Sequence, residues 1–139
     1  MFREICTLIS DETGFAIGER LQAGHWVQDK PERAVLVQES GGTPNFYCPD
    51  MVDVAIQVLT RAEKYSEARE DAYAVFNALH GTSGWNLPRI DGSGGDYLAM
   101  TVEAVYAPQY LGRDDNRRHL FSTNYIFRME EGSCGEPIP

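Results

Sequence analysis

The stretch that decides the fold is KYSEAREDAYAVFNALHGTSGWNL, which runs from Lys64 to Leu87. Its first part has apolar residues at intervals of three and four positions: Ala68, Ala72, Val75, Phe76 and Leu79. This spacing places them on one face of an amphipathic helix. Such a face is unfavourable in water, so it predicts a helix that is covered by a sheet or by another helix.

The residues at both ends of this stretch predict where the helix begins and ends. Ser66 is the expected N-cap, and Gly81 is expected to end the helix because glycine readily adopts the left-handed conformation. His80 falls in the last turn. Glu67, Glu70 and Asp71 are expected to give the first turn a negative charge, which the helix dipole favours.

The chain before this helix predicts a shorter helix and two strands. The shorter helix is expected to end near Gly14, and its apolar side is formed by Phe2, Ile5, Leu8 and Ile9. Residues 15–32 are expected to form an ordered connection with a short extended piece. A first strand is predicted at 34–39, followed by a turn at 41–45 and a second strand at 53–61. The second strand alternates between a buried and a wet side, with Val54, Ile56 and Val58 on the first and Asp53, Gln57 and Arg61 on the second.

The chain after the central helix predicts loops and two further strands. The segment HGTSGWNLP and the glycine-rich segment from Arg89 to Asp96 are expected to be loops. A strand is predicted at 97–106, with Leu98, Met100, Val102 and Ala104 on one face and Thr101 and Glu103 on the other. A charged turn at 112–116 leads to a last strand at 119–129. That strand has Phe121, Tyr125, Phe127 and Met129 on one face and Ser122, Asn124 and Arg128 on the other.

These elements predict an α+β fold with the order α-β-β-α-β-β. Short turns within each strand pair predict antiparallel pairing, and one apolar face per strand predicts a mainly antiparallel sheet with helices packed on one face. Residues 1–129 are expected to form a single domain, and residues 130–139 are expected to form a flexible tail.

The composition is typical of a globular chain with a strongly acidic balance. The chain has 139 residues, of which 12 are basic and 21 acidic, which gives a net charge of −9. This balance argues against broad electrostatic capture of nucleic acid or of an anionic membrane. No stretch approaches the roughly 18–20 apolar residues that span a bilayer, and the N-terminus has acids where a secretion signal has apolar residues. We therefore expect a protein that stays in the cytoplasm where it is made.

No residue pattern predicts catalysis, a cofactor or a metal site. The three cysteines, Cys6, Cys48 and Cys134, form no CxxC pair and have no histidine near them, so reduced thiols are expected. The loop Asp91–Asp96 is a poor phosphate site, because it follows a helix, precedes a strand and is flanked by carboxylates. The histidines lie far apart in the sequence, and no serine has a nucleophile-elbow context.

One face of the predicted sheet is expected to bind another protein subunit. This face mixes polar and apolar side chains, a composition that suits partial burial at an interface. It is predicted to carry Gln57, Leu59, Thr101, Glu103, Val105, Asn124, Ile126 and Arg128.

Three stretches of the sequence resemble the phage minor capsid and tail terminator family of long-tailed phages. They are RAVLVQESGG from Arg33, IQVLTRAEKYSEAREDAYAVFNALHGTSGWNLP from Ile56, and EAVYAPQYLGRDDNRRHLFSTNYIFRM from Glu103. The resemblance covers the chain from about Arg33 to Met129 and includes no catalytic motif.

The resemblance implies a non-enzymatic structural protein of the virion, located at the head-proximal end of the tail and assembled in the host cytoplasm. It implies a homo-oligomeric, hexameric ring on the tail tube protein that stops tube polymerisation and contacts the head–tail connector. DNA would pass through its channel without specific binding, and no membrane or cofactor is implied. Together with the mixed sheet face, it nominates these interface residues: Gln57, Leu59, Glu103, Val105, Arg113, Arg117, Arg118, Asn124 and Arg128.

Two other classes of function remain open at this point. A small α+β ligand-binding or enzyme domain would use the polar sheet face as its pocket, and it would be a monomer or dimer with a closed cavity. An acidic inhibitor that mimics DNA is supported by the net charge alone.

Overall fold

The computed structural model describes residues 2–24, 33–44, 51–90, 96–115 and 117–130, without the side chains of residues 42–44. These ranges contain two helices and seven strands. In chain order they are α1 (Phe2–Thr13), β1 (Leu21–Ala23), β2 (Ala34–Pro44), β3 (Met51–Ala62), α2 (Tyr65–Leu79), β4 (Thr82–Pro88), β5 (Asp96–Ala104), β6 (Gln109–Arg113) and β7 (His119–Glu130).

The strands form a seven-stranded sheet in the order β1-β2-β3-β7-β5-β4, and β6 pairs with β7 beyond the end of β5. Strands β1 and β2 are parallel, and the other pairings are antiparallel. The predicted α+β class with a mainly antiparallel sheet is therefore confirmed. The order of elements differs from the predicted one, because the structure adds β1, β4 and β6.

Both helices pack on one face of the sheet, which we call the inner face. Helix α2 buries Ala68, Ala72, Val75 and Leu79, and α1 buries Ile5, Leu8 and Ile9, as the periodicity predicts. The inner face of the sheet contributes Val35, Val37, Ile56, Val58, Val102, Tyr125, Phe127 and Met129 to the core that contains Val75 and Leu79, whereas Ala68 and Ala72 pack in a smaller cluster with Ala62 and Phe121. Each such side chain stabilises the fold by roughly 1.5–3 kcal/mol relative to exposure, which is why the helices dock here.

The start of α2 differs from the prediction, whereas its end agrees with it except for His80. The helix begins at Tyr65, and the N-cap residue is Lys64, whose side chain makes no capping hydrogen bond, so Ser66 is not the N-cap. Tyr65 packs against the ring of Phe121 with a centroid distance of 5.3 Å, and this contact favours an earlier start. At the other end, the helix stops at Leu79, and His80 is the C-cap with an extended backbone, so His80 lies just beyond the last turn in which it was expected. Gly81 follows with a φ of 77°, the left-handed conformation for which glycine is suited.

Two short strands, β4 and β6, replace segments that were expected to be loops or turns, and a third, β1, was expected. The segment after α2 forms β4, which pairs with β5, and Trp85 in it donates a hydrogen bond from Nε1 to Thr82 Oγ1 at 2.8 Å. Strand β6 occupies part of the charged turn, because Gly112 with a φ of 99° lets the chain bulge and still pair with Leu120. Strand β1 is the short extended piece that was expected between the first helix and the first strand.

Two bulges change the predicted strands. The expected turn at 41–45 is wrong for its described part, since β2 continues to Pro44 after a register shift between Glu39 and Gly42. Strand β5 shifts register between Ala99 and Thr101 and ends at Ala104, before the expected end at residue 106. Because of this shift, Ala99 and Val102 are the buried residues of β5, and the predicted alternation through Leu98 and Met100 does not hold.

Two side chains have a different exposure from the expected one. Arg61 is buried, although the register places it on the same face of β3 as Asp53 and Gln57. It lies near the end of the strand, between Ala34 and Leu120. Phe76 is half-buried, at the margin of the buried stripe of α2, where its ring stacks on His80.

Some expectations fall in part outside the described residues. The parts concerned are residues 25–32 of the expected connection, residue 45 of the first turn, residues 91–95 of the glycine-rich loop, residue 116 of the charged turn, and the tail over residues 131–139. Glu130, which was assigned to the tail, is the last residue of β7. Among the helices that the structure describes, none is long and apolar enough to cross a membrane.

Candidate assembly surface

The sheet face away from the helices, which we call the outer face, is built from β3, β7 and β5. Residues that are paired across neighbouring strands project to the same face of a sheet. The register pairs Gln57 with Asn124 and pairs Ile126 with both Ala55 and Glu103. Arg128 is likewise flanked by Asp53 and Thr101. The predicted grouping of polar residues on one face is therefore present.

Most polar groups of the outer face already have partners within the chain. Arg128 Nε donates to Asp53 Oδ1 at 3.0 Å, and this hydrogen bond raises the pKa of the Arg128 guanidinium. Gln57 Nε2 donates to Ser122 Oγ at 3.2 Å. Glu103 is exposed and forms no salt bridge with a described residue. Its charge contributes to the raised pKa of the nearby Arg128, whose salt bridge is with Asp53.

The outer face also exposes apolar side chains. Ile126 is 38% exposed and Val105, directly after β5, is 57% exposed. Leu59 is half-buried on the same side. Since both described helices pack on the inner face, these side chains have no helix over them. A polar face with exposed aliphatic residues at its centre has the composition of a protein interface that other molecules cover.

The three nominated arginines lie at the end of β6 and in the turn before β7, in different environments. Arg113 and Arg117 are exposed, and Arg117 has a φ of 63°. Arg118 is only 4% exposed, and it donates to both oxygens of Asp114, from the backbone N–H and from Nε, each at 2.9 Å. Arg118 therefore holds the turn together and does not project from it, which corrects its place among the exposed interface candidates.

A buried carboxylate that the sequence does not reveal joins three elements. Asp71 is 1% exposed in α2, and because the helix begins at Tyr65 it lies beyond the first turn in which it was expected. Its Oδ1 accepts hydrogen bonds from Arg20 Nη2 at 2.6 Å and Arg33 Nη2 at 2.8 Å, and its Oδ2 accepts one from Arg33 Nε at 3.0 Å. The hydrogen bond to Asp71 raises the pKa of Arg33. No periodicity could reveal this cluster, because its members lie far apart in the sequence.

A second surface missed by the sequence reasoning lies along one flank of α2. We call it the aromatic flank, and it consists of Tyr65, Arg69, Tyr73, Phe76 and His80. The Arg69 guanidinium lies 4.4 Å from the centre of the Tyr73 ring, and the Phe76 and His80 rings stack at 4.9 Å. Tyr65 and Tyr110, both exposed, meet edge to face at 5.2 Å. The signal was present in the spacing of these residues, four, four, three and four positions apart.

The described residues hold no cluster of three or more histidine, cysteine, aspartate or glutamate side chains that is arranged to bind a metal. Cys6 is buried, and burial raises the pKa of its thiol to about 12. Cys48 and Cys134 lie outside the described ranges.

A family model and a solved structure are similar to this chain. The model of a family described as "Bacteriophage tail terminator protein" matches residues 25–131 of this chain. No curated protein sequence gives a significant match. A chain in a solved structure described as "Virion of native gene transfer agent (GTA) particle" is similar in fold. It has 17% sequence identity and a TM-score of 0.53, with 88% of this chain and 84% of that chain covered.

Proposed function

The chain belongs to the bacteriophage tail terminator family and is a structural protein of the virion tail, and on that premise we propose that it forms a ring at the end of the tail tube. The ring is a homo-oligomer, which we take to be a hexamer. It sits at the head-proximal end of the tail, stops addition of tail tube protein and offers its opposite side to the head–tail connector.

The observation that carries this proposal is the open outer face of the sheet. A ring made of one chain needs an interface that joins two different surfaces of neighbouring copies and closes on itself. The outer face supplies one such surface, with Val105 and Ile126 as exposed apolar residues and Glu103 and Asn124 beside them. Burial of those two apolar side chains against a neighbour removes them from water and so favours ring closure.

The other nominated residues have different roles in this proposal. Gln57, Leu59 and Arg128 belong to the outer face, where Gln57 and Arg128 are oriented by their partners within the chain. Arg113 and Arg117 are exposed at the turn before β7 and contact a neighbour or the tube. Arg118 acts within its own chain by fixing the shape of that turn.

The acidic balance suits a channel through which DNA must pass without sticking. A net charge of −9 in each copy gives the ring a negative field, which repels the phosphate backbone of the passing DNA. The protein acts without catalysis and without a cofactor. Its assembly takes place in the cytoplasm of the bacterial host.

The length of the tails is the measurement that tests this function. Tails assembled without the protein should be abnormally long or variable in length, and addition of the wild-type chain should restore a single length. Val105→Asp should abolish this restoration by placing a charge in the interface. Ile17→Asp is the matched control, since Ile17 is 49% exposed outside the sheet strands that form the outer face. Equal activity of the two variants would contradict the proposed surface, and uniform tails without the protein would contradict the function.

The alternative function, a ligand-binding domain, predicts a different mass for the protein when tail tubes are present. A pocket protein stays a monomer or dimer when tail tubes are added, whereas a terminator joins the tube. Sedimentation of the chain with and without purified tubes separates the two classes.

A further inference from the structure

The outer face is only one half of a head-to-tail interface, and the structure points to the other half. A ring in which each copy uses the same surface for both neighbours cannot close beyond a dimer, so a second and different surface is required. This step rests on the proposed ring, and it concerns which part of the chain receives the outer face of the next copy.

We propose that the aromatic flank of α2 binds the outer sheet face of the neighbouring copy, with Arg69 of one copy paired to Glu103 of the next. The two surfaces lie on different layers of the chain. Helix α2 packs on the inner face of the sheet, and Glu103 projects from the outer face. Each copy therefore presents the flank to one neighbour and the outer face to the other.

The chemistry of the flank fits this partner. Tyr65 and Arg69 are exposed, and Tyr73 and Phe76 are half-buried, so the flank presents ring surfaces that the fold does not fully cover. An open groove of about 500 Å³ runs beside Tyr65, Arg69 and Tyr73. Aromatic residues and arginine are the side chains most enriched in the centres of protein interfaces. The aliphatic side chains of Val105 and Ile126 are suitable to fill such a groove.

The charges of the two surfaces are complementary. Arg69 makes a cation–π contact with Tyr73, and within the described ranges it forms no salt bridge. Glu103 is exposed and forms no salt bridge with a described residue, whereas Arg128 on the same face is paired with Asp53. An arginine on the flank thus meets an exposed carboxylate on the sheet, and neither forms a salt bridge with a described residue of its own chain. Opposite charges at these places also disfavour pairing of two identical surfaces, because like charges would then face each other.

The dimensions of the two surfaces also agree. Helix α2 has 15 residues, and at about 1.5 Å per residue the flank is roughly 20 Å long. The outer face from Ser122 to Arg128 spans about 20 Å at roughly 3.4 Å per residue of β7. The exposed residues of one surface can therefore lie along the whole of the other.

A charge exchange tests the pairing. Arg69→Glu and Glu103→Arg, each alone, should reduce the fraction of tails with normal length at least tenfold, because each places like charges opposite one another. The double variant with both changes should restore that fraction to within about twofold of wild type. The matched control is Glu12→Arg, which reverses an exposed charge on α1, outside both surfaces, and it should leave the fraction of normal tails unchanged. Normal capping by both single variants, or no recovery in the double variant, would overturn the pairing while wild-type capping keeps the proposed function intact.

A cross-linking experiment tests the same contact without relying on rescue. Two chains carry Arg69→Cys or Glu103→Cys in a background with Cys48→Ser and Cys134→Ser, and they are mixed on tail tubes and oxidised. The buried Cys6 thiol stays unreactive in both. Disulfide-linked dimers that contain one chain of each kind should exceed identical pairs at least tenfold. Equal yields of mixed and identical pairs, or no dimers on tubes that are capped, would overturn the proposal.

Discussion

Arg33, just before β2, donates two hydrogen bonds to the buried carboxylate of Asp71 in α2, at 3.0 Å and 2.8 Å. Arg20, just before β1, donates a third at 2.6 Å. These contacts attach the parallel edge of the sheet to the helix whose other flank we assign to the ring. The orientation of α2 on the sheet therefore depends on one carboxylate and on two arginines that are about one third exposed.

Replacement of this carboxylate should destabilise the fold. Asp71→Ala removes three charge-assisted hydrogen bonds, and we expect a loss of about 2–3 kcal/mol in the free energy of unfolding, since both arginines can regain water. Glu70→Ala is the control, because the Glu70 side chain is 75% exposed and its contact with Arg33 is 3.9 Å long. That variant should lose less than about 0.5 kcal/mol. Equal losses for the two variants in urea unfolding would contradict the role of Asp71.

The two apolar residues Leu79 and Phe76 should differ in their contribution to stability. Leu79 is fully buried, so Leu79→Ala should cost roughly 2–5 kcal/mol through lost burial and a cavity. Phe76 is half-buried and borders the open flank, so Phe76→Ala should cost about 1–2 kcal/mol, less than the roughly 3–5 kcal/mol of a fully buried phenylalanine. Chemical denaturation measures both. A larger loss for Phe76→Ala than for Leu79→Ala would mean that the flank lies inside the core.

The thiol of Cys6 should be inert in the folded protein. Its pKa is raised to about 12 by burial, so the reactive thiolate is scarce at pH 8. In a Cys48→Ser, Cys134→Ser variant, a thiol reagent should label less than about a tenth of the native chains in the time that labels all unfolded chains. Tail capping by this variant should be normal. Stoichiometric labelling of the native protein, or bound zinc that is needed for assembly, would contradict this prediction.

The same thiol predicts a direction for stability at high pH. The pKa of Cys6 in the folded chain lies above its value in the unfolded chain, which is about 8.5 for a free cysteine. The contribution of the neutral thiol to the stability of the folded state is therefore complete below about pH 8.5. This contribution is lost as the pH rises from about 8.5 through about 12. In a Cys6→Ala variant, the free energy of unfolding should therefore decrease less over this pH range than it does in the otherwise identical chain.

Substitutions of two arginines in the turn before β7 should have separate effects on folding and on assembly. Arg118→Glu breaks a largely buried ion pair with Asp114, so it should lower the free energy of unfolding by roughly 3 kcal/mol. Arg117→Glu changes an exposed charge and should leave the melting temperature within about 1 °C, while it weakens tail capping. Thermal melts and tail lengths measure the two effects. Tails of normal length with Arg117→Glu would show that this turn is not part of the assembly interface. An unchanged melting temperature with Arg118→Glu would contradict the structural role of Arg118.

Periodicity in the sequence was sufficient to predict those parts of the fold that depend only on residues close together in the chain. The stripe from Ala68 to Leu79 and the alternation of β3 and β7 each need only local spacing, and the structure confirms them. Bulges and short strands depend on pairing partners instead. The shift between Ala99 and Thr101 and the strand around Gly112 form because β7 is beside them, which local patterns do not show.

The candidate surface was predictable in part for the same reason. Alternation places Asn124 and Arg128 on one face of a strand, and pairing of predicted strands brings Gln57 and Glu103 beside them. Burial of Arg118 and of Asp71 could not be predicted. The first depends on a turn closed by Asp114, and the second on Arg20, which is 51 residues away in the sequence.

The central claim, a ring at the end of the tail tube, is tested most directly by counting bound copies. Purified tubes are titrated with labelled wild-type chain, and the mass bound at each tube end is measured by sedimentation and by single-particle imaging. The proposal predicts saturation at about six times the chain mass of 15.6 kDa, at one end of each tube, with sixfold symmetry. Chains that stay monomeric in the presence of tubes, or that bind along the tube without saturating at its end, would contradict it.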